Sequence, residues 1–143
     1  VFAPRKPLDE HLVRHRLADL FLDTLPCNAH TTASDALWAG LPVLTCAGST
    51  FAGRVAGSLL FAVGLSELIT DSLSSYEALA MKLARDPTAL AQLKTKLASQ
   101  RTTTPLFDIE RFTRHLESAY VTMWERSQRG IPAEAFSVAA AQP

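Results

Sequence analysis

Neither sign of charge is in excess in this chain, where 14 Lys and Arg stand against 14 Asp and Glu. Nothing points to a long basic surface for nucleic acid, so any anion site must be local. No apolar run approaches the ~20 residues that a helix needs to span a bilayer. Cysteine is scarce. Cys27 and Cys46 have no metal-ligand spacing and fit reduced thiols in a cytoplasmic protein better than a disulfide scaffold. A signal peptide is lacking, and so is a starting methionine. Val1-Phe2-Ala3-Pro4 reads as the end of a strand cut mid-protein, which makes a longer parent polypeptide the expectation. What is present is 48% hydrophobic residues over 143 positions, which fits one domain with a real core and excludes a disordered tail.

The organising stretch is Ala18–Cys46, ADLFLDTLPCNAHTTASDALWAGLPVLTC. Leu20-Phe21-Leu22, bracketed by Asp19 and Asp23, has the pattern of a strand covered on both faces. Pro26 and Asn28 punctuate the loop Thr24–His30. Thr31 or Thr32 is the expected cap of a helix that Gly40 closes, with Ala36, Leu37 and Trp38 towards a sheet. Pro42 then leads into a second buried strand ending at Cys46. A parallel β-loop-α-β unit of this kind puts a helix N-terminus at the carboxyl end of the sheet, a place for phosphate. Asp35 aims a carboxylate at the same mouth. Beside a diphosphate that carboxylate is best explained by sugar hydroxyls, because it would repel the phosphates themselves. His30 is open between a loop-fixing hydrogen bond and a donor to the pyrophosphate. Cys27, with no activating motif around it, is a poor nucleophile candidate.

Before this unit, Val1-Phe2 reads as the tail of a parallel strand, and Glu10–Arg16 as a short helix opened by Asp9 or Glu10. Leu12, Val13 and Leu17 are its expected inward side, and His15 an expected surface residue. After the unit, Ser49 or Thr50 is expected to cap a helix over Phe51–Val63. Gly53 and Gly57 there imply close packing, against either a neighbouring helix or a bound sugar. Arg54 reads as a salt-bridged surface residue. Glu67–Thr70 closes the strand set. Helices then run over Ser74–Arg85, from Pro87 to about Gln100, and from Phe107-Asp108 to about Arg129. An extended break at Arg101–Pro105 separates the last two. Ile109, Phe112, Leu116, Tyr120 and Met123 form the apolar stripe of the last helix.

LDTLPCNAHTTASDALWAGLPVLT closely resembles the donor-binding segment of O-GlcNAc transferases, the bacterial homologues most of all. The similarity is collinear through APRKPLDEHLVRHRLADLFLDT, GSTFAGRVAGSLLFAVGLSELI and QRTTTPLFDIERFTRHLESAYVTMWE. It implies that His11 and Arg14 contact uracil, with backbone near Lys6 reading the uracil edge. It implies that His30, Thr31 and Thr32 surround the diphosphate and that Asp35 holds the ribose hydroxyls. Eukaryotic members carry a lysine where this chain has Leu8, and whether Lys6 compensates is open. The family's closing helix, which packs back across two lobes, matches the last helix here.

The expected fold is α/β, a Rossmann-like parallel sheet flanked by helices. It corresponds to the C-terminal lobe of a GT-B glycosyltransferase with a helical C-terminal extension. Residues 1–130 would be that partial lobe and 131–143 an irregular tail. The resemblance implies a protein O-GlcNAc transferase: inverting transfer of N-acetylglucosamine from UDP-GlcNAc to Ser/Thr hydroxyls of a protein or peptide acceptor. It also implies no required metal or other cofactor, and cytoplasmic localisation. The general base and a phosphate-contacting lysine are expected upstream, with the N-terminal lobe and helical repeats of TPR type. The chain alone would then be inactive. A UDP-GlcNAc 2-epimerase-like enzyme and a non-catalytic nucleotide-sugar-binding domain are the rival readings. Nucleic-acid and membrane partners are not expected.

Overall fold

Three short strands, β1 (Phe21–Leu22), β2 (Val43–Cys46) and β3 (Ile69–Thr70), pair in parallel in the order β1-β2-β3 in a computed structural model that describes residues 3–139. Phe21 faces Val43 and Leu22 faces Leu44 across the first pair; Thr45 faces Ile69 and Cys46 faces Thr70 across the second. Parallel neighbours need crossovers, and helices supply them. Helix α2 (Thr31–Ala39) joins β1 to β2, and α3 (Val55–Ala62) with a 3-10 turn at Ser66–Leu68 joins β2 to β3. Helix α1 (Leu8–Arg14) and a 3-10 turn at His15–Leu17 precede the sheet and pack on α2. Helices α4 (Leu73–Arg85) and α5 (Pro87–Gln100) follow and pack on each other, with α4 against β2 and β3.

The chain divides into two compact units, Val1–Leu106 and Phe107–Pro143. The core of the first is centred on β2, whose four residues are all buried, together with Ala33, Ala36 and Leu37 of α2 and Ala56 and Leu60 of α3. Each fully buried leucine here contributes about 1.5–3 kcal/mol relative to an exposed one. The second unit contains α6 (Ile109–Gln128), with the tail folded back on its end. Ile131 N donates to the Arg126 carbonyl, and the Arg126 guanidinium pairs with Glu134 and lies over Phe136. No residue of α6 is buried.

Three helices open on side-chain caps, whereas α3 has Arg54 at its N-cap and neither Ser49 nor Thr50 caps it. Ser72 Oγ accepts from Ser75 N, Asp86 Oδ1 from Ala89 N, and Asp108 Oδ1 from Arg111 N. Gly40 and Gly64 stop α2 and α3 in the left-handed region, at φ 88° and 77°.

Several expectations are corrected. The strand tail at Val1-Phe2 lies outside the described residues. Burial on both faces belongs to β2 and not to β1, because β1 is the edge of the described sheet; Leu22 is 55% exposed. Of Glu67–Thr70 only the last two residues are strand. Val13 of α1 and Leu17 of the 3-10 turn are exposed, since only one side of this segment meets α2, whereas His15 is half-buried. Trp38 is not core filling. It lies about 100° round the helix from Leu37, half exposed, with the Arg101 guanidinium 5.3 Å from the ring centroid.

The helix expected over Phe51–Val63 begins only at Val55. Gly48 N takes the Gly53 carbonyl at 2.6 Å, which commits residues 48–53 to a turn. Gly53 is kept small by loop backbone and not by a neighbouring helix: an added Cβ would stand 3.0 Å from the Pro26 oxygen and 3.2 Å from Gly48 Cα. Gly57 packs on Ile69 of β3. Arg54 donates to the Gly48 carbonyl at 3.5 Å and forms no ion pair among the described residues. Residues 101–104 form turns, with Thr103 N and Thr104 N both donating to the Gln100 carbonyl, in place of an extended break.

Candidate functional site

The carboxyl ends of β1 and β2 release two loops, Thr24–His30 and Ala47–Arg54, on the same edge of the sheet. They lock together: Asn28 N donates to the Ala52 carbonyl at 2.9 Å, and Gly53 lies against the Pro26 carbonyl. The first loop is wound around Asp23, which is 6% exposed. Its Oδ1 accepts from Thr24 N at 2.8 Å and Ala29 N at 2.6 Å, and its Oδ2 accepts from Thr45 Oγ1 at 2.6 Å. Tyr76 of α4 donates its hydroxyl to the Asp23 carbonyl at 3.0 Å. Burial, then the nearby Asp23 charge, then Cys46, raise the Tyr76 phenol above its ordinary 10.0.

Because Asp23 draws Ala29 N back, the chain enters α2 with His30 at the N-cap, and Thr31 and Thr32 fall inside the first turn. That corrects the expected threonine cap. Neither hydroxyl nor the His30 side chain caps the helix, and both threonines are exposed. The helix thus opens with N–H groups that no side chain occupies, and its dipole points their partial positive charge outward. His30 Nε2 makes a long 3.5 Å contact with the Ala52 carbonyl, and its ring meets Phe51 edge-on. Asp35 is half-buried, and its carboxylate has no partner among the described residues.

A second group sits on α1 and the segment before it. Arg14 Nη1 donates to the Pro4 carbonyl at 2.9 Å, and its Nη2 reaches His11 Nδ1 at 2.6 Å. Arginine only donates, so His11 Nδ1 accepts and the ring's hydrogen is left on Nε2. His15 Nδ1 donates to the His11 carbonyl at 2.8 Å, with the two rings edge-to-face at 4.7 Å. Lys6 pairs with Glu10 at 2.8 Å and shares with Arg14 a groove of about 510 Å³ whose other walls include Pro4, Val13 and Leu17.

The seven residues singled out from the sequence therefore fall in two groups: Lys6, His11 and Arg14 around α1, and His30, Thr31, Thr32 and Asp35 at α2. The two helices pack, but no hydrogen bond or ion pair joins the groups among the described residues. Asp23, Thr45 and Tyr76, which shape the loop, were missed. The one available signal was a charged residue directly following an apolar strand in a parallel unit. Also among the described residues, no three His, Cys, Asp or Glu side chains converge as metal ligands, and no helix is long and apolar enough to cross a membrane.

The sequence profile of glycosyl transferase family 41 matches residues 1–116. The chain is 38% identical over 132 residues to the UDP-N-acetylglucosamine–peptide N-acetylglucosaminyltransferase of Caenorhabditis elegans, covering 92% of this chain and 12% of that protein. It is 44% identical over 130 residues to the probable UDP-N-acetylglucosamine–peptide N-acetylglucosaminyltransferase SEC of Arabidopsis thaliana, covering 90% and 13%. A solved structure of an O-GlcNAc transferase mutant from Thermobaculum terrenum superposes with a TM-score of 0.79 at 37% identity, over 90% of this chain and 24% of that one. The chain thus spans only a small part of the relatives it matches, and its parallel sheet with flanking helices is α/β architecture of the GT-B type. It belongs to glycosyl transferase family 41.

Proposed function

We propose that this chain is the nucleotide-binding part of an inverting glycosyltransferase that moves N-acetylglucosamine from UDP-GlcNAc to Ser/Thr hydroxyls of proteins or peptides. The observation that carries the reading is the entry to α2. It is a helix start without a side-chain cap, at the carboxyl end of a parallel sheet, with the exposed Thr31 and Thr32 and an unpartnered Asp35 beside it. N–H groups and hydroxyls there suit the diphosphate, and a carboxylate one turn further suits the ribose hydroxyls. His11 and Arg14, with the backbone near Lys6, would take the uracil. The Arg14–His11 contact leaves His11 Nε2 as a donor for a base carbonyl.

Negative charge gathers on UDP as the glycosidic bond breaks. Donors fixed at the diphosphate stabilise that charge more than the ground state, so they lower the barrier as well as bind. On this reading no divalent cation is required. The general base, a phosphate-contacting lysine and the acceptor-holding helical repeats come from other parts of the polypeptide that carries residues 1–143, in the cytoplasm.

Calorimetric titration of UDP and GDP into that polypeptide, with Asp35→Ala alongside, tests the assignment. UDP is expected to bind in preference to GDP, and Asp35→Ala to weaken it by about 1–3 kcal/mol, the range for hydrogen bonds to a charged group. Transfer of labelled N-acetylglucosamine to an acceptor peptide follows on the same preparation. Equal binding of GDP, or indifference to Asp35, would mean that the nucleotide lies elsewhere.

A further inference from the structure

We propose that Asp23 is a positioning residue for the diphosphate site, acting through the Thr24–Ala29 loop on His30 and the first turn of α2; the proposal rests on the donor-site reading above. The carboxylate closes the loop at both ends, since one oxygen accepts from Thr24 N and from Ala29 N. Its other oxygen is fixed to β2 through Thr45 Oγ1, at 2.6 Å. Thr45 is fully buried, and its carbonyl accepts from Thr70 Oγ1 of β3 at 2.9 Å. Asp23 N donates to the Leu44 carbonyl at 3.0 Å, and the Asp23 carbonyl accepts from Tyr76. Directly from β2 and α4, and through Thr45 from β3, the sheet and its covering helix thus hold the residue that sets where the loop ends. The loop ends one residue before the N-cap, so any slack at Ala29 moves His30 and the N–H groups of Thr31 and Thr32 together.

None of these atoms reaches the mouth, so the effect is on placement and not on contact. A positioning role predicts selective damage: the diphosphate loses its partners while the nucleoside, held from α1 and Asp35, does not. Asn at position 23 keeps one carbonyl oxygen for Thr24 N and Ala29 N, and its amide can donate to Thr45 Oγ1. It is therefore the rescuing substitution.

The test is titration of UDP and of uridine into the full polypeptide that carries residues 1–143, for the unsubstituted protein and for Asp23→Ala, Asp23→Asn, Thr45→Val, Thr45→Ser and Asp35→Ala. Asp23→Ala is expected to weaken UDP about tenfold while leaving uridine unchanged, with most of the loss recovered in Asp23→Asn. Thr45→Val reproduces the pattern more weakly and Thr45→Ser restores it. This pair decides the matter if Asp23→Ala does not fold. Equal weakening of both ligands, or an unchanged ratio of UDP to uridine affinity, overturns the positioning role. If Asp35→Ala weakens both ligands while that ratio stays fixed in the Asp23 and Thr45 variants, the donor-site reading stands and only the positioning role falls. No UDP binding by the unsubstituted protein, or none lost in Asp35→Ala, removes both.

Discussion

The phenol of Tyr76 donates to the backbone carbonyl of Asp23 at 3.0 Å, across 53 positions of sequence, and ties α4 to the end of β1. Its raised pKa comes from burial first and the Asp23 carboxylate second, with Cys46 adding to both. Tyr76 in the unfolded chain therefore gives up its proton before Tyr76 in the folded one. Stability carried by the protonated phenol is complete below the ordinary value of 10.0 and is lost as pH rises from there through the folded-state value. The chain has two tyrosines, so phenolate absorbance in a Tyr120→Phe background reads Tyr76 alone. A midpoint at the ordinary value would refute the burial argument. Tyr76→Phe is expected to cost about 0.5–1.5 kcal/mol at neutral pH and to abolish this alkaline loss.

Two glycines separate cleanly by what surrounds them. Gly53→Ala drives a methyl to 3.0 Å from the Pro26 carbonyl, where the obstacle is backbone that cannot rotate away. A loss of about 1–3 kcal/mol is expected from such overpacking. Gly57→Ala meets only Ile69, at 3.7 Å, in the interior of α3. Relief from the glycine penalty makes it neutral or stabilising by up to about 1 kcal/mol. Urea midpoints of the two variants check this, and a Gly57→Ala loss as large as that of Gly53→Ala would contradict it.

Arg101 holds the far end of α2 by stacking on Trp38 and donating to its carbonyl, a cation placed at the negative pole of the helix. Arg101→Met is expected to cost about 1–2 kcal/mol from the lost stacking and hydrogen bond together. Lysine at this position recovers less than half, because it cannot stack flat and donate along a fork at once. With Trp124→Phe as background, the emission of Trp38 should change in both variants. Unchanged emission would place the guanidinium off the ring in solution.

Much of this was readable from local rules. The β-loop-α-β unit and the Gly40 stop depend on a few adjacent residues, and the structure bears them out. Residues with distant partners were not readable. Asp23 looks like a polar bracket in sequence, yet its decisive partner Thr45 is 22 positions away. Thr31 has the chemistry of a cap but stands one residue inside the helix, after His30 at the N-cap. Trp38 has the size of a core residue, and only the rotation from Leu37 puts it outside. For the site, the uncapped helix start follows from topology, whereas the roles of Lys6, His11 and Arg14 came from family resemblance and not from spacing.

The interlocked loops at the sheet edge also bear on how this part of the chain can change. With Asn28 bonded to Ala52, Gly53 pressed on Pro26, and Gly48 and Gly53 joined by their own backbones, the two segments share one set of contacts. Lengthening either by a residue would strip partners from the other. Directed evolution of this region should therefore recover paired length changes or none.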